Sequence, residues 1–264
     1  MMFKRLHGWL NNFYRYRPLL KELVVRDIKV RYRHSVLGVF WTVLNPLLMM
    51  VVMTIVFSKL FRNTIENFSI YYLSGYILYA FFNESTTQAL FSVVYNSSLT
   101  KKVYIPKYLF PLSKIASALV NLLFSFCALI IVMVLTGTRF YWTIFLSIIP
   151  AMYLAIFCCG LGLILATVNV FFRDIGHFYG IIMLVWMYLT PLFYPETLLI
   201  DNGMPFLLSL NPLYHNVAYF RMLILEGTVP GLMHNLLCLI PGMLLLILGV
   251  IAFKKHQDTF ILYI

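Results

Sequence analysis

Charged side chains are scarce in this chain. Asp, Glu, Lys and Arg make up 11% of its residues, where a soluble domain carries about 25%. Apolar residues make up 62%. A length of 264 residues could form one soluble domain, but the apolar runs are too long for that, because about 20 apolar residues suffice to cross a bilayer core. Catalytic motifs are missing as well. No G-x-x-x-x-G-K-[ST] loop occurs, which excludes nucleotide binding by the Walker route, and neither H-E-x-x-H nor G-x-S-x-G is present. The six histidines are scattered. Cys127, Cys158, Cys159 and Cys238 lie inside apolar runs without metal-ligand spacing, so they read as packing residues rather than disulfides. No metal or cofactor is expected on this chain. The N-terminal stretch is basic and lacks a short apolar core before a small-residue site, so no cleavable signal is expected.

What the chain does have is an uneven charge distribution. Nine of its 20 lysines and arginines fall in the first 33 residues. The net charge of +11 would suggest nucleic acid in a soluble protein; here it follows the positive-inside rule, and no nucleic acid is expected. Six spans can be drawn, at about 35–58, 70–94, 115–136, 143–172, 178–194 and 232–253. They put both termini on one side. The segments then inside hold 16 Lys/Arg: the nine, then Lys101, Lys102, Lys107 and Lys114, then Arg173, then Lys254 and Lys255. The segments then outside hold four: Lys59, Arg62, Arg139 and Arg221. The spacing therefore predicts an all-α integral membrane protein of six transmembrane helices with cytoplasmic termini.

Two segments stand apart from the spans. Residues 1–34 read as a cytoplasmic amphipathic segment. Pro18 suits a helix start, and Leu20, Leu23, Val24 and Ile28 then share a face, as in a helix lying flat on the inner leaflet. Residues 35–264 form the six-span domain. Within it, 195–231 is too interrupted to span and suits short re-entrant or surface helices whose backbone is shielded by protein.

The second span carries Asn83, Glu84, Ser85, Thr86, Thr87 and Gln88 in succession. Six polar residues cover the whole circumference of a helix, and lipid would not accommodate them. They either line a path for a hydrophilic cargo or hold helices together by hydrogen bonds. Tyr71, Tyr72, Tyr76 and Tyr79 precede them and could stack on sugar rings or form an aromatic belt. Two short cytoplasmic loops, 99–107 and 171–177, mix charge with apolar groups such as Val103, Tyr104 and Ile105. Such loops suit either a protein partner or anchoring in the interface.

Taken in order, these features resemble the membrane subunit of ABC-2 (type V) exporters, in particular those for lipid-linked polysaccharides such as O-antigen, capsule and teichoic acid. The resemblance runs over nearly the whole chain. It is carried by residues 23–38, Trp41, Asn45-Pro46-Leu47, Lys101 to Pro106, Phe172-Arg173-Asp174-Ile175, Leu189 to Pro195, Asn211-Pro212-Leu213 and the closing Tyr263-Ile264. It implies a half-transporter in a bacterial inner membrane, acting as a homodimer above a separate ATPase dimer that holds ATP and Mg. The implied coupling residues are Lys101, Lys102, Tyr104, Ile105, Lys107, Arg173, Asp174 and, on the N-terminal helix, Arg26 and Asp27. The implied cargo is a glycan on undecaprenyl pyrophosphate, entering near the first and fifth spans. Tyr72, Tyr76, Tyr79, Asn83, Glu84, Thr87 and Gln88 would lie along the sugar path. Arg15, Arg17, Arg31 and Arg33, with Arg26 beside them, would meet the pyrophosphate, though contact with anionic membrane lipid is the commoner role for each of them taken singly. A drug or small-lipid exporter would share this fold. A membrane enzyme or secondary transporter does not fit, since no catalytic acid cluster or inverted repeat of broken helices is visible.

Overall fold

A computed structural model describes residues 2–60, 65–102 and 105–263, with side chains described over 15–57, 65–101 and 105–263. Among these, every regular element is helical. In chain order they are α1 (Met2–Tyr32), α2 (Trp41–Leu60), α3 (Phe68–Tyr95), α4 (Ser97–Lys102), α5 (Leu109–Thr136), α6 (Ile148–Phe171), α7 (Ile175–Leu189), α8 (Thr197–Asp201), α9 (Pro205–Ser209), α10 (Pro212–Arg221) and α11 (Leu232–His256). Each of the six expected spans coincides with one helix of this set. Four stretches are both long and apolar enough to cross a membrane: Gly38–Phe57, Leu109–Thr136, Trp142–Phe171 and Leu232–His256. α3 has 28 residues, long enough at 1.5 Å per residue, but its polar run lowers its hydropathy. α7 is apolar and shorter, with 15 residues.

α3 is the central element. It packs against α2, α5, α6, α7 and α10. Ile70, Leu73, Leu78, Phe82, Ala89 and Leu90 are fully buried along it. Behind it, α6 and α11 pack over most of their length. Glycines allow this approach. A Cβ placed at Gly160 would overlap the backbone of Leu245 and Leu246, and one at Gly249 would overlap the Gly160 carbonyl. Small residues at such a crossing let two backbones touch, which favours association where apolar burial alone gives none.

The segment 195–231, expected at the outer side, folds as α8, α9 and α10 followed by a π-helical turn at Met222–Glu226. α10 is largely buried against α3, α6 and α11. Its N-terminus is capped by Asn211, whose Oδ1 accepts from the backbone N–H of Leu213 and Tyr214, with Pro212 in the first turn. The same Oδ1 accepts from Trp186 Nε1 at 2.9 Å, and Asn211 Nδ2 donates to Thr190 Oγ1 at 3.0 Å. One side chain thus fastens α10 to the end of α7. At the other end of α10, Arg221 is buried at 7% exposure. Its guanidinium lies 3.5 Å over the Tyr71 ring and donates to the Tyr71 carbonyl at 3.0 Å. The charge count placed Arg221 on an outer loop; the fold makes it an internal brace.

α1 departs from expectation in two respects. It begins upstream, and Pro18 lies inside it. A proline within a helix removes one hydrogen bond and favours a bend without forcing a terminus. Its apolar face is also taken by protein. Leu23 is buried against Ile105, Leu109 and Phe110, with Leu19 and Leu20 beside it. Further along, Asp27 Oδ1 pairs with Lys114 Nζ of α5 at 2.9 Å, and Arg26 donates to Asn96 Oδ1 at 3.2 Å. Leu23 meets Leu109 and Phe110, and Asp27 meets Lys114, so this half of α1 runs alongside the start of α5 before Arg31 turns to Glu84 of α3.

The Asp27 side chain is only 8% exposed, and a buried carboxylate left without its cation is costly, by about 3 kcal/mol. Lys114→Ala should therefore lower the thermal midpoint in detergent markedly, and Lys114→Ala with Asp27→Ala should lose less than the two single variants combined. Strict additivity would show that the pair does not hold α1. Gly160→Val should still insert but lose about 2 kcal/mol or more through forced separation of α6 and α11, read as a lower midpoint and early aggregation on gel filtration. An unchanged midpoint would contradict the close crossing.

Candidate functional site

The polar run of α3 divides between two faces. Ser85 and Thr86 are fully buried. Both bond the Phe82 carbonyl, at 3.1 and 2.7 Å, and Thr86 Oγ1 also accepts from Tyr179 Oη of α7 at 2.6 Å. Thr86 thus ties α3 to α7, while Ser85 bonds within α3. Asn83, Glu84, Thr87 and Gln88 are half-buried and continue a stripe that includes Tyr76, Ala80 and Phe91. The i, i+4, i+7 spacing of these positions defines one helix face.

Glu84 gathers donors from three helices. Arg31 of α1 forms an ion pair with it. Asn121 Nδ2 of α5 donates to Glu84 Oε1 at 2.8 Å, and Gln88 Nε2 donates to the same oxygen at 3.1 Å. Burial pulls the Arg31 pKa down, but Glu84 beside it, with Tyr32, more than offsets this and leaves it raised. The guanidinium therefore stays charged. Thr87 donates to Asn83 at 3.3 Å, so the stripe is cross-linked along its length.

The expected tyrosines separate. Tyr76 sits on the half-buried stripe. Tyr72 and Tyr79 are buried, at 2% and 7% exposure. Tyr72 stacks between Phe68 and Tyr76, and Tyr79 donates to the Met183 carbonyl at 3.0 Å. Tyr71 donates to the Tyr194 carbonyl at 3.0 Å. Packing and helix-to-helix bonding account for these three within one chain.

The arginines do not converge. Arg31 faces Glu84, while Arg15 and Arg17 are exposed on an earlier part of α1. Arg33 instead lines a hollow of about 420 Å³ with Glu22, Arg26 and Lys29.

The candidate coupling residues fall into exposed and buried groups. Lys101, Arg173 and Asp174 are exposed. Ile105 is buried at 8% and Asp27 is buried by Lys114, so both position other groups. Arg26 is tied to Asn96 and Asp27. Tyr104 and the side chain of Lys102 lie outside the described residues. One connection was invisible in the sequence. The 3-10 turn at Thr259–Leu262 folds back between the two loops. Its Phe260 is fully buried and meets Phe253 and Phe171 edge-on at 5.2 and 5.9 Å. Tyr263 meets Phe171 at 4.9 Å, and its carbonyl accepts from Arg173. Lys107 donates to the Gln257 carbonyl and stands 5.6 Å over the Phe260 ring. Burial lowers the Lys107 pKa, partly offset by Asp258. Both loops therefore rest on one aromatic cluster. Aromatic side chains separated by one helix end were the available signal, but the fold-back itself has no local sequence mark.

Known proteins supply the remaining evidence. The chain is 30% identical over 244 residues to the O-antigen export system permease protein RfbA of Klebsiella pneumoniae, covering 92% of this chain and 93% of that protein. It is 30% identical over 222 residues to RfbA of Myxococcus xanthus, covering 84% and 85%. It is 25% identical over 262 residues to the capsule polysaccharide export inner-membrane protein CtrC of Neisseria meningitidis, covering 96% and 97%. Residues 18–225 match the ABC-2 type transporter family. With that match over most of its length, and with several helices long and apolar enough to span a bilayer, the chain belongs to the ABC-2 type transporter family as a multi-pass membrane protein.

Proposed function

We propose that this chain is the membrane subunit of an ATP-driven exporter that moves an undecaprenyl-pyrophosphate-linked polysaccharide outward across a bacterial inner membrane. The observation that carries this reading is the half-buried polar stripe of α3, at Tyr76, Asn83, Glu84, Thr87 and Gln88, in a chain otherwise apolar. A path for a drug or small lipid would need no such stripe. Relatives in O-antigen and capsule export point to the same class of cargo.

In this reading α2, α3, α5, α6, α7 and α11 are the six spans, both termini are cytoplasmic, and α8 to α10 lie at the outer side. The Lys/Arg count of 16 inside against four outside supports that orientation. Two copies form the route. α2 and α7 expose apolar faces, including Val52, Ile55, Ile181 and Val185, which would meet the second copy or lipid. An ATPase dimer docks against Lys101, Arg173 and Asp174, since the chain has no phosphate-binding loop of its own. The aromatic cluster around Phe171 and Phe260 would make the two docking loops move together.

Deleting the gene should strip the polymer from the cell surface and leave lipid-linked glycan on the cytoplasmic side. Unchanged surface polysaccharide, with new sensitivity to a hydrophobic drug, would move the reading to a drug exporter. Arg173→Glu should insert normally yet reduce lipid-stimulated ATP hydrolysis by roughly tenfold, the scale of one lost charge contact at an interface. Wild-type hydrolysis in that variant would remove Arg173 from the docking surface.

A further inference from the structure

The connection between α5 and α6 is a 3-10 helix of six residues, Trp142–Ser147. Runs of that type seldom exceed about four residues, and their side chains repeat every three. Trp142, Phe145 and Ile148 therefore stand in line on one edge, 68%, 82% and 45% exposed. Arg139 and Phe140, just before them, are exposed as well. Rings and an aliphatic side chain set side by side in this way are costly to leave in water.

The opposite edge is bound to protein. Thr143 Oγ1 donates to the Leu223 carbonyl at 2.5 Å, inside the π-helical turn that follows α10. Leu146 packs beside Tyr219, Leu223 and Cys238. The Tyr141 ring lies so close to Gly227 that a Cβ there would stand 2.4 Å from it. Gly227 also has a φ of +67°, so space and backbone both call for glycine. The 3-10 helix thus clamps the π-helical turn with one edge and turns the other outward.

Helix length decides what meets the free edge. α6 has 24 residues, about 36 Å at 1.5 Å per residue, which already exceeds a hydrocarbon core of about 30 Å. A row at its N-terminal end falls at the boundary of that core rather than within it. Exposed Leu135 and Met152 continue the apolar surface from the row onto α5 and α6. A surface continuous with the flanks of two membrane-length helices meets lipid. Tryptophan favours that boundary, and the guanidinium of Arg139 suits lipid phosphate oxygens.

We infer that Phe140, Trp142, Phe145 and Ile148 form a lipid-anchoring row seated where headgroups meet acyl chains, and that the clamp behind it fixes the depth of the π-helical turn and of α10 in the membrane. This goes beyond the export reading and does not depend on it, since it needs only a chain that spans a membrane.

The test uses the full chain in nanodiscs whose phosphatidylcholine carries bromine either near the headgroup or near the chain end. The difference in fluorescence between the native chain and Trp142→Phe reports Trp142. That signal should be quenched about twofold more by the shallow bromine than by the deep one, as for a ring at the interface. Trp142→Phe with Phe145→Trp should show the same preference one step along the row. Trp142→Ser with Phe145→Ser should still insert and elute as the native chain does, while backbone amides at 222–228 exchange about tenfold faster, because the clamp has lost its outer support. Equal or deeper quenching overturns the boundary placement. Quenching that appears only after dilution to a monomer overturns lipid as the occupant, since a second copy then covers the row. Native exchange at 222–228 in the serine pair overturns the clamp. The quenching arm uses only aromatic exchanges, so it decides the anchoring row even if the serine pair does not assemble.

Discussion

Glu84 is the only charged residue in the 28-residue helix α3, and lipid would not accept it. Much of the arrangement near it follows from that. Asn121 must sit on the face of α5 turned towards α3, and Arg31 must reach in from α1, so α1 cannot lie wholly apart from the bundle. The polar groups beside Glu84 are dealt with differently. Ser85 and Thr86 bond their own helix and Tyr179, which fastens α7 to α3. The run of six polar residues therefore divides between two faces of the same turn pair, Ser85 and Thr86 in the core and Asn83, Glu84, Thr87 and Gln88 on the half-buried stripe.

The long helices were legible in the sequence because a long apolar run has few structural outcomes, and four of them are long and apolar enough to cross a membrane. The helix positions followed, to within a few residues at most ends. What escaped was contact made by side chains far apart in sequence. Leu23 was read as facing lipid because helical spacing marks an apolar face without saying what covers it; Phe110 and Ile105 cover it here. Tyr72 and Tyr79 were grouped with Tyr76 by proximity, but the helical repeat turns them into the core. Arg221 was counted as a loop cation because charge counting assumes solvent. The aromatic face of Tyr71 and a backbone carbonyl supply a different environment, one that a guanidinium tolerates better than an ammonium.

The two ends of the protein are stabilised by unlike means. At the end that carries α8 to α10, Asn211 and Arg221 fix the two ends of α10, each through bonds to another segment. Those contacts are directional hydrogen bonds and hold α10 in one register. At the other end, the loops 105–107 and 172–174 rest on Phe171, Phe253 and Phe260. Ring contacts are less directional and tolerate small shifts without losing much energy. The α10 end is therefore held in one register, while the ring cluster allows small adjustments.

Packing within the bundle shows the same division. α6 and α11 touch backbone to backbone through Gly160 and Gly249, which leaves no side chain free to rearrange between them. α7 packs mainly through Tyr179 and Met183 and leaves most of its length exposed, and α2 packs on α3 and α5 with most of its apolar residues outside. α6 and α11 thus form a close-packed pair, with α2 and α7 held by fewer buried residues. α3 lies between these parts. Its buried face packs on α6 and α7, and its polar stripe meets α1 and α5 through Glu84. The position of Glu84 on that stripe, answered by a cation from α1, therefore couples the most constrained helix of the protein to an element that begins outside the bundle.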